Sequence, residues 1–350
     1  MTPLVYVLHS GNLYGTERMA LATAEGLAAE YDPVIFAPPG KAIEEARRLG
    51  FAAQPFTRPV ELALRLRPFV GRSRRLVFMA TGVMHSMVLL AWNLLYRRRV
   101  AHLHLVHGGT DERLSYGRKR RLNGRPVRFV AVSDFVRERL CANGVAAPQI
   151  SVVENFLPDS RRRVPRRGPF GEPGLRRAVV VSRIDPIKRV DLLLDAMEAE
   201  PALGRLGVRI FGGGWQLEEL RERARRSCPN VEFAGFRADI DRELSAADLL
   251  IHLCPAEPFG LAILEAMAAA VPVLVPDRGG AGSLVTDGVS GFRFAADDAR
   301  SLAARILELD TAPPEVLNRA AAGGLAALDG RFSARERLND YRRLIEAELA

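Results

Sequence analysis

What most limits the fold of this chain is a repeated alternation of short apolar runs with segments of helical periodicity. The run Leu4 to Leu8 meets a turn at Ser10-Gly11-Asn12 and Gly15, and a helix is expected from Thr16, with Met19, Ala20, Thr23, Ala24 and Leu27 on its buried stripe. Strands are then expected at Asp32 to Ala37, Phe51 to Pro55, Leu76 to Met79, Ala101 to Val106, Phe129 to Val132 and Gln149 to Val153. Helical patterns at Glu44 to Leu49, Met84 to Tyr96 and Asp134 to Asn143 separate several of them. From Ala178 the rhythm restarts, with strands Ala178 to Val181, Gly207 to Phe211, Val231 to Phe233, Leu249 to Leu253, Pro272 to Val275 and Phe292 to Phe294. Helices are expected between them at Val190 to Glu198, Trp215 to Ser227, Ile240 to Ala246 and Leu261 to Ala270, and after them at Asp297 to Leu309. Strands alternating with helices predict α/β architecture around parallel sheets.

The two blocks are separated by Pro158 to Arg177, which holds four prolines, three glycines and seven arginines and almost no apolar side chains. Little there is expected to pack, so it reads as an interdomain linker. Two similarly built halves joined by such a hinge imply a cleft between them. A chain of 350 residues is also too long for one ordinary domain.

Composition excludes a disordered tail, a collagen-like repeat and a disulfide scaffold, because 48% of residues are apolar and 26% charged. Three cysteines without CxxC spacing point to a reducing, cytoplasmic compartment. The start MTPLVYVLHSGN lacks a basic region and cleavage site and reads as a strand. The stretch Val83 to Tyr96 is too short to span a bilayer. Charge is uneven: up to Ala178 there are 29 Lys+Arg against 14 Asp+Glu, and thereafter 21 against 27. The basic half therefore suits an anionic partner. Arg65, Arg67, Arg72, Arg74, Arg75, Arg97 to Arg99 and Arg118-Lys-Arg-Arg121 surround apolar stretches and would suit an anionic membrane surface, although a solvated arginine-rich face explains them equally. Aromatics are not interleaved with these runs, so specific nucleic-acid binding is not expected.

The most informative segment runs from Ala256 to Met267. Glu257 ends a loop after a buried strand, Pro258 and Gly260 shape a tight turn, and a helix opens near Leu261 with its first amides free. A helix start at the carboxyl end of a parallel strand is an anion site suited to a diphosphate. Glu265, about one turn on, would reach paired hydroxyls such as those of a ribose. Both glutamates could also merely favour the helix dipole. Arg183 and Lys188 lie on the loop after the first strand of the second block. Fixed cations there would stabilise charge growing on a departing phosphate. Gly212 to Gly214 do not complete a GxGxxG pattern, which leaves close approach to a ligand or a plain turn.

Glu257-Pro-Phe-Gly-Leu to Glu265 resembles the E-x7-E motif of retaining glycosyltransferases of family 4. Val181-Ser-Arg183-Ile-Asp-Pro-Ile-Lys188, Ile210-Phe-Gly-Gly-Gly214, Val231-Glu-Phe-Ala-Gly235-Phe236, Ala247-Asp248 and Asp287-Gly-Val-Ser-Gly291 follow the same family's order from about residue 178 to 295. Weaker matches in the first half are Ser10 to Arg18, with Gly15 beside the donor phosphates or acceptor, His107-Gly108, Val132-Ser133 and Glu154-Asn155. One departure is Gly279-Gly280-Ala281-Gly282-Ser283, where the family usually has a glutamate at the last position.

The resemblance implies the GT-B arrangement: two facing Rossmann-like domains with a cleft between them. Its expected parts are an acceptor-side domain over 1–157, the linker over 158–177, a nucleotide-sugar-binding domain over 178–330, and a final helix over 331–350 crossing back to the first. It implies transfer of a sugar from a nucleoside diphosphate sugar to an acceptor that the sequence does not identify, with retained configuration and no metal or cofactor. Arg183 and Lys188 would face the diphosphate, Glu257 the sugar hydroxyls, and His107 would lie beneath the sugar. Glu265 would hold the ribose, Gly260, Leu261 and Phe259 would line the donor site, and Phe236 would face the base. The alternative is a catalytically silent subunit of the same fold that binds sugar or lipid.

His102, His104 and His107 do not form a metal set, because strand alternation turns His107 to the opposite face. Asp239-Ile-Asp241 reads as a helix cap rather than a metal motif. No GxSxG supports a serine triad.

Overall fold

The computed structural model describes residues 1–73, 75–97, 99–109, 111–158, 164–166, 168–237 and 239–350. Arg74, Arg98 and residues 159–163 and 167 of the expected linker lie outside them. Two compact units are present: Met1–Pro158 together with Ala334–Ala350, and Asp159–Ser333.

The first unit is built on strands β1 (Thr2–Val7), β2 (Tyr31–Ala37), β3 (Ala52–Pro55), β4 (Arg75–Ala80), β5 (Arg99–Val106), β6 (Arg128–Ala131) and β7 (Ile150–Val152). They form one parallel sheet in the order β3-β2-β1-β4-β5-β6-β7. Central strands are apolar on both faces, as a sheet covered by helices on each side requires. On one face Val5, Val7, Phe36, Phe78 and Ala80 pack against Leu62, Leu66, Val70 and Leu89 of the helices Pro59–Arg72 and Val83–Tyr96. The helix Gly15–Leu27 buries Met19, Ala20, Thr23, Ala24 and Leu27, the stripe expected of it.

The second unit contains β8 (Arg177–Val181), β9 (Gly207–Phe211), β10 (Val231–Gly235), β11 (Leu249–Ile251), β12 (Val273–Pro276) and β13 (Phe292–Phe294). Its parallel sheet runs β10-β9-β8-β11-β12-β13. The helix Val190–Ala199 turns Val190, Leu193, Leu194 and Met197 into the core at helical spacing. Both sheets are the Rossmann-like α/β layers expected of the chain.

Two expectations are corrected. The described part of the Pro/Gly/Arg-rich segment does pack, because its few apolar residues are anchors. Phe170 and Leu175 enter the core of the second unit. The backbone of Phe170 exchanges hydrogen bonds with the Asn318 amide at 2.8 and 3.0 Å, and Arg166 pairs with Asp248 at 2.8 Å. The run Arg118-Lys-Arg-Arg121 is not uniformly solvated either: the three arginines are exposed, while Lys119 is buried.

Candidate active site

In the second sheet β8 lies between β9 and β11, and the chain winds off in opposite directions from its two sides. Loops leaving the carboxyl ends of strands at such a reversal diverge and open a crevice. The loop after β8 carries Arg183 and Lys188, and the loop after β11 carries Glu257. The structure brings Lys188 and Glu257 together. Lys188 Nζ donates to Glu257 Oε2 at 2.6 Å, and His252 Nε2 lies 3.3 Å from the same oxygen.

Each of these three side chains is largely withdrawn from water. Burial by itself would push the Glu257 carboxyl up. Lys188 and the His252 ring outweigh it and hold the group below the ordinary carboxylate range. Burial likewise works against the Lys188 charge, and Glu257 reverses that, leaving the ammonium above its usual value. The pair is therefore fully ionised near neutrality. Cys254, in the same loop, is pushed up to about 11, chiefly by burial, and stays a thiol.

Arg183 is half-exposed, and its Nη1 pairs with Asp185 Oδ2 at 2.8 Å. Asp185 also accepts the Trp215 amide at 3.4 Å, so the cation is braced while its outer face stays open. The glycine-rich loop after β9 explains itself through the same contact. A Cβ on Gly212 would lie 1.8 Å from the Ser182 carbonyl oxygen, and one on Gly214 would lie 2.4 Å from that of Ile184. These glycines admit the chain's own Arg183 loop at close quarters rather than marking a plain turn.

The helix Leu261–Ala268 starts from Gly260, whose φ of +105° an L side chain rarely adopts. Its first-turn amides have no carbonyl acceptor one turn back within the helix. Leu261 and Glu265 are half-buried and one turn apart on the same face. Phe259 is only 2% exposed and packs edge-on against Phe332 at 6.0 Å, so its side chain is an anchor and only its backbone faces the turn. The turn is clamped from behind by the short helix Gly279–Leu284. Gly280 N donates to the Glu257 carbonyl at 2.7 Å, and a Cβ on Gly280 would sit 2.1 Å from the Pro258 carbonyl oxygen. Ser283, at the position of the family's glutamate, bonds back to the Gly280 carbonyl at 2.7 Å. Phe236, just past β10, is 65% exposed, and Trp215, in the loop after the neighbouring β9, is 90% exposed.

In the first unit Gly15 opens the helix Gly15–Leu27 at an exposed position, capped by Glu17, whose Oε2 accepts the Tyr14 amide at 3.1 Å. His107 follows β5. Burial drives its pKa down to about 3, so the ring is neutral, and its Nε2 has no hydrogen-bond partner. His102 and His104 sit fully buried on one face of β5 and share Ser86 Oγ, each at 2.9 Å. Asp239 Oδ1 accepts the Asp241 amide at 3.0 Å one residue before the cap position of the helix Asp241–Ser245, which Ile240 occupies without a side-chain cap, so the expected cap is displaced by one residue.

Sequence reasoning did not single out His252, Asp185 or Trp215. His252 carried a usable signal: it stands in the apolar run Leu249 to Leu253, five residues before Glu257, where a buried polar ring has to find a partner. Asp185 lay between the two cations already singled out, and an acid so placed would be expected to brace one of them.

Residues 176–311 match the family model described as Glycosyl transferases group 1, and residues 14–161 match Glycosyltransferase Family 4. A GDP-mannose-dependent alpha-mannosyltransferase of Mycobacterium tuberculosis is 30% identical over 45% of this chain and 41% of its own length. A D-inositol 3-phosphate glycosyltransferase of Geodermatophilus obscurus is 33% identical over 44% of this chain and 37% of its own. The chain thus spans about two fifths of the length of these relatives. Among solved structures, Anabaena Alr3699/HepE in complex with UDP-glucose superposes with a TM-score of 0.83 at 20% identity, covering 99% of this chain and 100% of that one. The galactosyltransferase WaaB in its apo form gives 0.73 at 14% identity, covering 99% of each chain.

Proposed function

Since the chain belongs to the family 4, group 1 glycosyltransferases and has their GT-B fold, we propose that it moves a sugar from a nucleoside diphosphate sugar to an acceptor, retaining anomeric configuration without a metal. The observation that carries this reading is the buried Lys188–Glu257 pair at 2.6 Å, three residues before a helix start, at the strand-order reversal of the second sheet. A diphosphate seated on the amides of Leu261 and Ala262 would lie beside two fixed cations.

The residues divide the work as follows. Arg183 and Lys188 stabilise negative charge on the β-phosphate oxygen as the bond to the anomeric carbon breaks. Their positions are fixed beforehand by Asp185 and Glu257, so little reorganisation accompanies charge development. Glu257, ionised, accepts hydroxyls of the departing sugar, and Glu265 accepts those of the ribose. The acceptor hydroxyl attacks from the face that the phosphate leaves, and the phosphate oxygen takes its proton. Neutral His107 offers its Nε2 to a sugar hydroxyl. Gly15 borders the acceptor, and Phe236 stacks on the base with Trp215 beside it.

The test is turnover with UDP-, GDP- and ADP-sugars, each screened first by thermal shift, since a bound ligand stabilises the fold by mass action. One donor is expected to bind and to be hydrolysed slowly, and Glu257→Gln should lower that turnover by roughly 10²–10³ while binding persists. Binding of a donor without any turnover would instead make the chain a silent sugar-binding subunit.

We also infer that the first unit rests on an anionic membrane surface on the cytoplasmic side. Val60 and Leu64 on the helix Pro59–Arg72, and Met84, Leu94 and Leu95 on the helix Val83–Tyr96, are exposed apolar residues. Arg58, Arg65, Arg67, Arg72 and Arg97 stand exposed among them. Each cation near such a surface contributes ~1 kcal/mol. No described helix is long and apolar enough to cross a membrane, so this contact would be lateral. Co-sedimentation with anionic but not zwitterionic vesicles, lost in Leu94→Glu/Leu95→Glu, is the expected result.

A further inference from the structure

Lys188, His252 and Glu257 meet at one carboxylate, and the backbone behind two of them is pinned. The His252 amide donates to the Leu274 carbonyl at 2.8 Å, which continues the β11–β12 ladder and fixes the root of the ring. The Glu257 carbonyl accepts Gly280 N at 2.7 Å. Lys188 is different. It ends the 3-10 turn Pro186–Lys188, and its ammonium sits on a flexible four-carbon stem with three rotatable donors. Of the three groups it is the one that can turn without moving backbone.

Both donors are aimed at one oxygen. Lys188 Nζ lies 2.6 Å from Glu257 Oε2, and His252 Nε2 lies 3.3 Å from it. The nearer contact is a formed hydrogen bond. The farther one is not: His252 Nε2 is buried and makes no hydrogen bond among the described residues. An ionised carboxylate only accepts, so the proton of a neutral ring facing it belongs on Nε2. A buried donor left unsatisfied is a cost that the fold carries. Lys188 meanwhile has two claims on it. In the free chain it compensates Glu257, and in the reaction it has to meet charge growing on the β-phosphate. Each step towards the phosphate withdraws it from Oε2, and a buried charge that loses its partner is strongly destabilised.

We propose that His252 is a positioning residue, whose Nε2–H takes over Glu257 Oε2 as Lys188 Nζ turns to the departing phosphate. The inference rests on the glycosyl-transfer reading and adds to it a residue that touches no substrate. The long contact of the ring shortens to a hydrogen bond while that of the lysine lengthens. Oε2 is then never left bare, and the carboxylate keeps its orientation towards the sugar hydroxyls. Little has to move, because the ring already waits at 3.3 Å.

The test compares His252→Leu, which removes the donor and keeps an apolar side chain, with His252→Gln, whose amide nitrogen reaches the place of Nε2. With the UDP-, GDP- or ADP-sugar that the unmodified chain turns over, His252→Leu should lower kcat about tenfold to a hundredfold and change the donor KM less than about twofold. His252→Gln should recover most of that loss. Equal kcat in His252→Leu and the unmodified chain overturns the proposal and leaves the transfer reading standing. So does a loss that His252→Gln does not recover, which makes the ring a packing group only. The unmodified chain gives a second measurement. Free UDP, GDP or ADP carries on its terminal phosphate the charge that the leaving group develops. The His252 Nε2–H proton resonance, assigned by its loss in His252→Gln, should therefore move downfield when one of them binds. An unmoved resonance with the diphosphate bound overturns the hand-over. A downfield shift in a chain that turns over no donor would sink the transfer reading alone.

Discussion

Lys188 and Glu257 hold charges that neither could keep alone in so dry a place. Removing one partner of a buried pair leaves the other uncompensated and costs ~3–5 kcal/mol, whereas replacing both with apolar groups is often nearly neutral. Lys188→Met should therefore destabilise by about that amount and abolish turnover. Lys188→Met/Glu257→Leu should recover stability in denaturant titration without recovering activity. The Glu257 carboxyl lies below its ordinary 4.5 when folded, so its contribution is present above that pH and fades as pH falls through the folded value. Acid unfolding below pH 4.5 should be shallower in Glu257→Gln, read by circular dichroism. Lys119 has the opposite sign. Its folded pKa of about 8, against an ordinary 10.5, penalises folding below pH 8, and the penalty lifts as pH rises towards 10.5. Lys119→Met should thus raise Tm at pH 7 and lose the advantage near pH 10. The placement of Arg183, Lys188 and Glu257 on the loops after β8 and β11 was legible because charged residues on loops stand out against apolar strands. Lys119 was not, since its neighbours are solvated arginines and only the fold turns this one side chain inward.

Strands were the most legible elements, because buried parallel strands are unbroken apolar runs and their register follows from neighbours. Two of the longer helices escaped notice. Pro59–Arg72 carries Pro68 and several arginines, which mask Leu62, Leu66 and Val70 at four-residue spacing. Pro314–Asp329 is rich in alanine and glycine, and buries Leu317, Ala320, Gly324 and Leu328 with little apolar contrast. Gly279–Leu284 is helical against its propensity because close packing on the Glu257 loop leaves no room for side chains at Gly279 and Gly280. Gly280→Ala should displace that loop. Donor affinity, measured by thermal shift, should fall at least as far as for Arg183→Ala, because residue 280 packs on the Glu257–Pro258 backbone.

At the scale of the molecule, the final helix Ala334–Leu349 belongs to the first unit although it follows the second. It buries Tyr341, Ile345 and Leu349, and Arg342 pairs with Glu30 at 2.7 Å while Glu348 pairs with Arg128 at 2.9 Å. Residues 331–350 were readable as such an element only through resemblance, since an amphipathic helix does not announce which surface it covers. Deleting 334–350 should leave the second unit's cooperative unfolding intact and lower that of the first, resolvable as two transitions in calorimetry. The connectivity also sets an order of events at the ribosome. The first unit lacks its covering helix until residues 334–349 have been made, and by then the second unit has been synthesised in full. The first sheet therefore waits without Tyr341, Ile345 and Leu349 packed against it, and a chain stalled before residue 334 would present that apolar surface to chaperones.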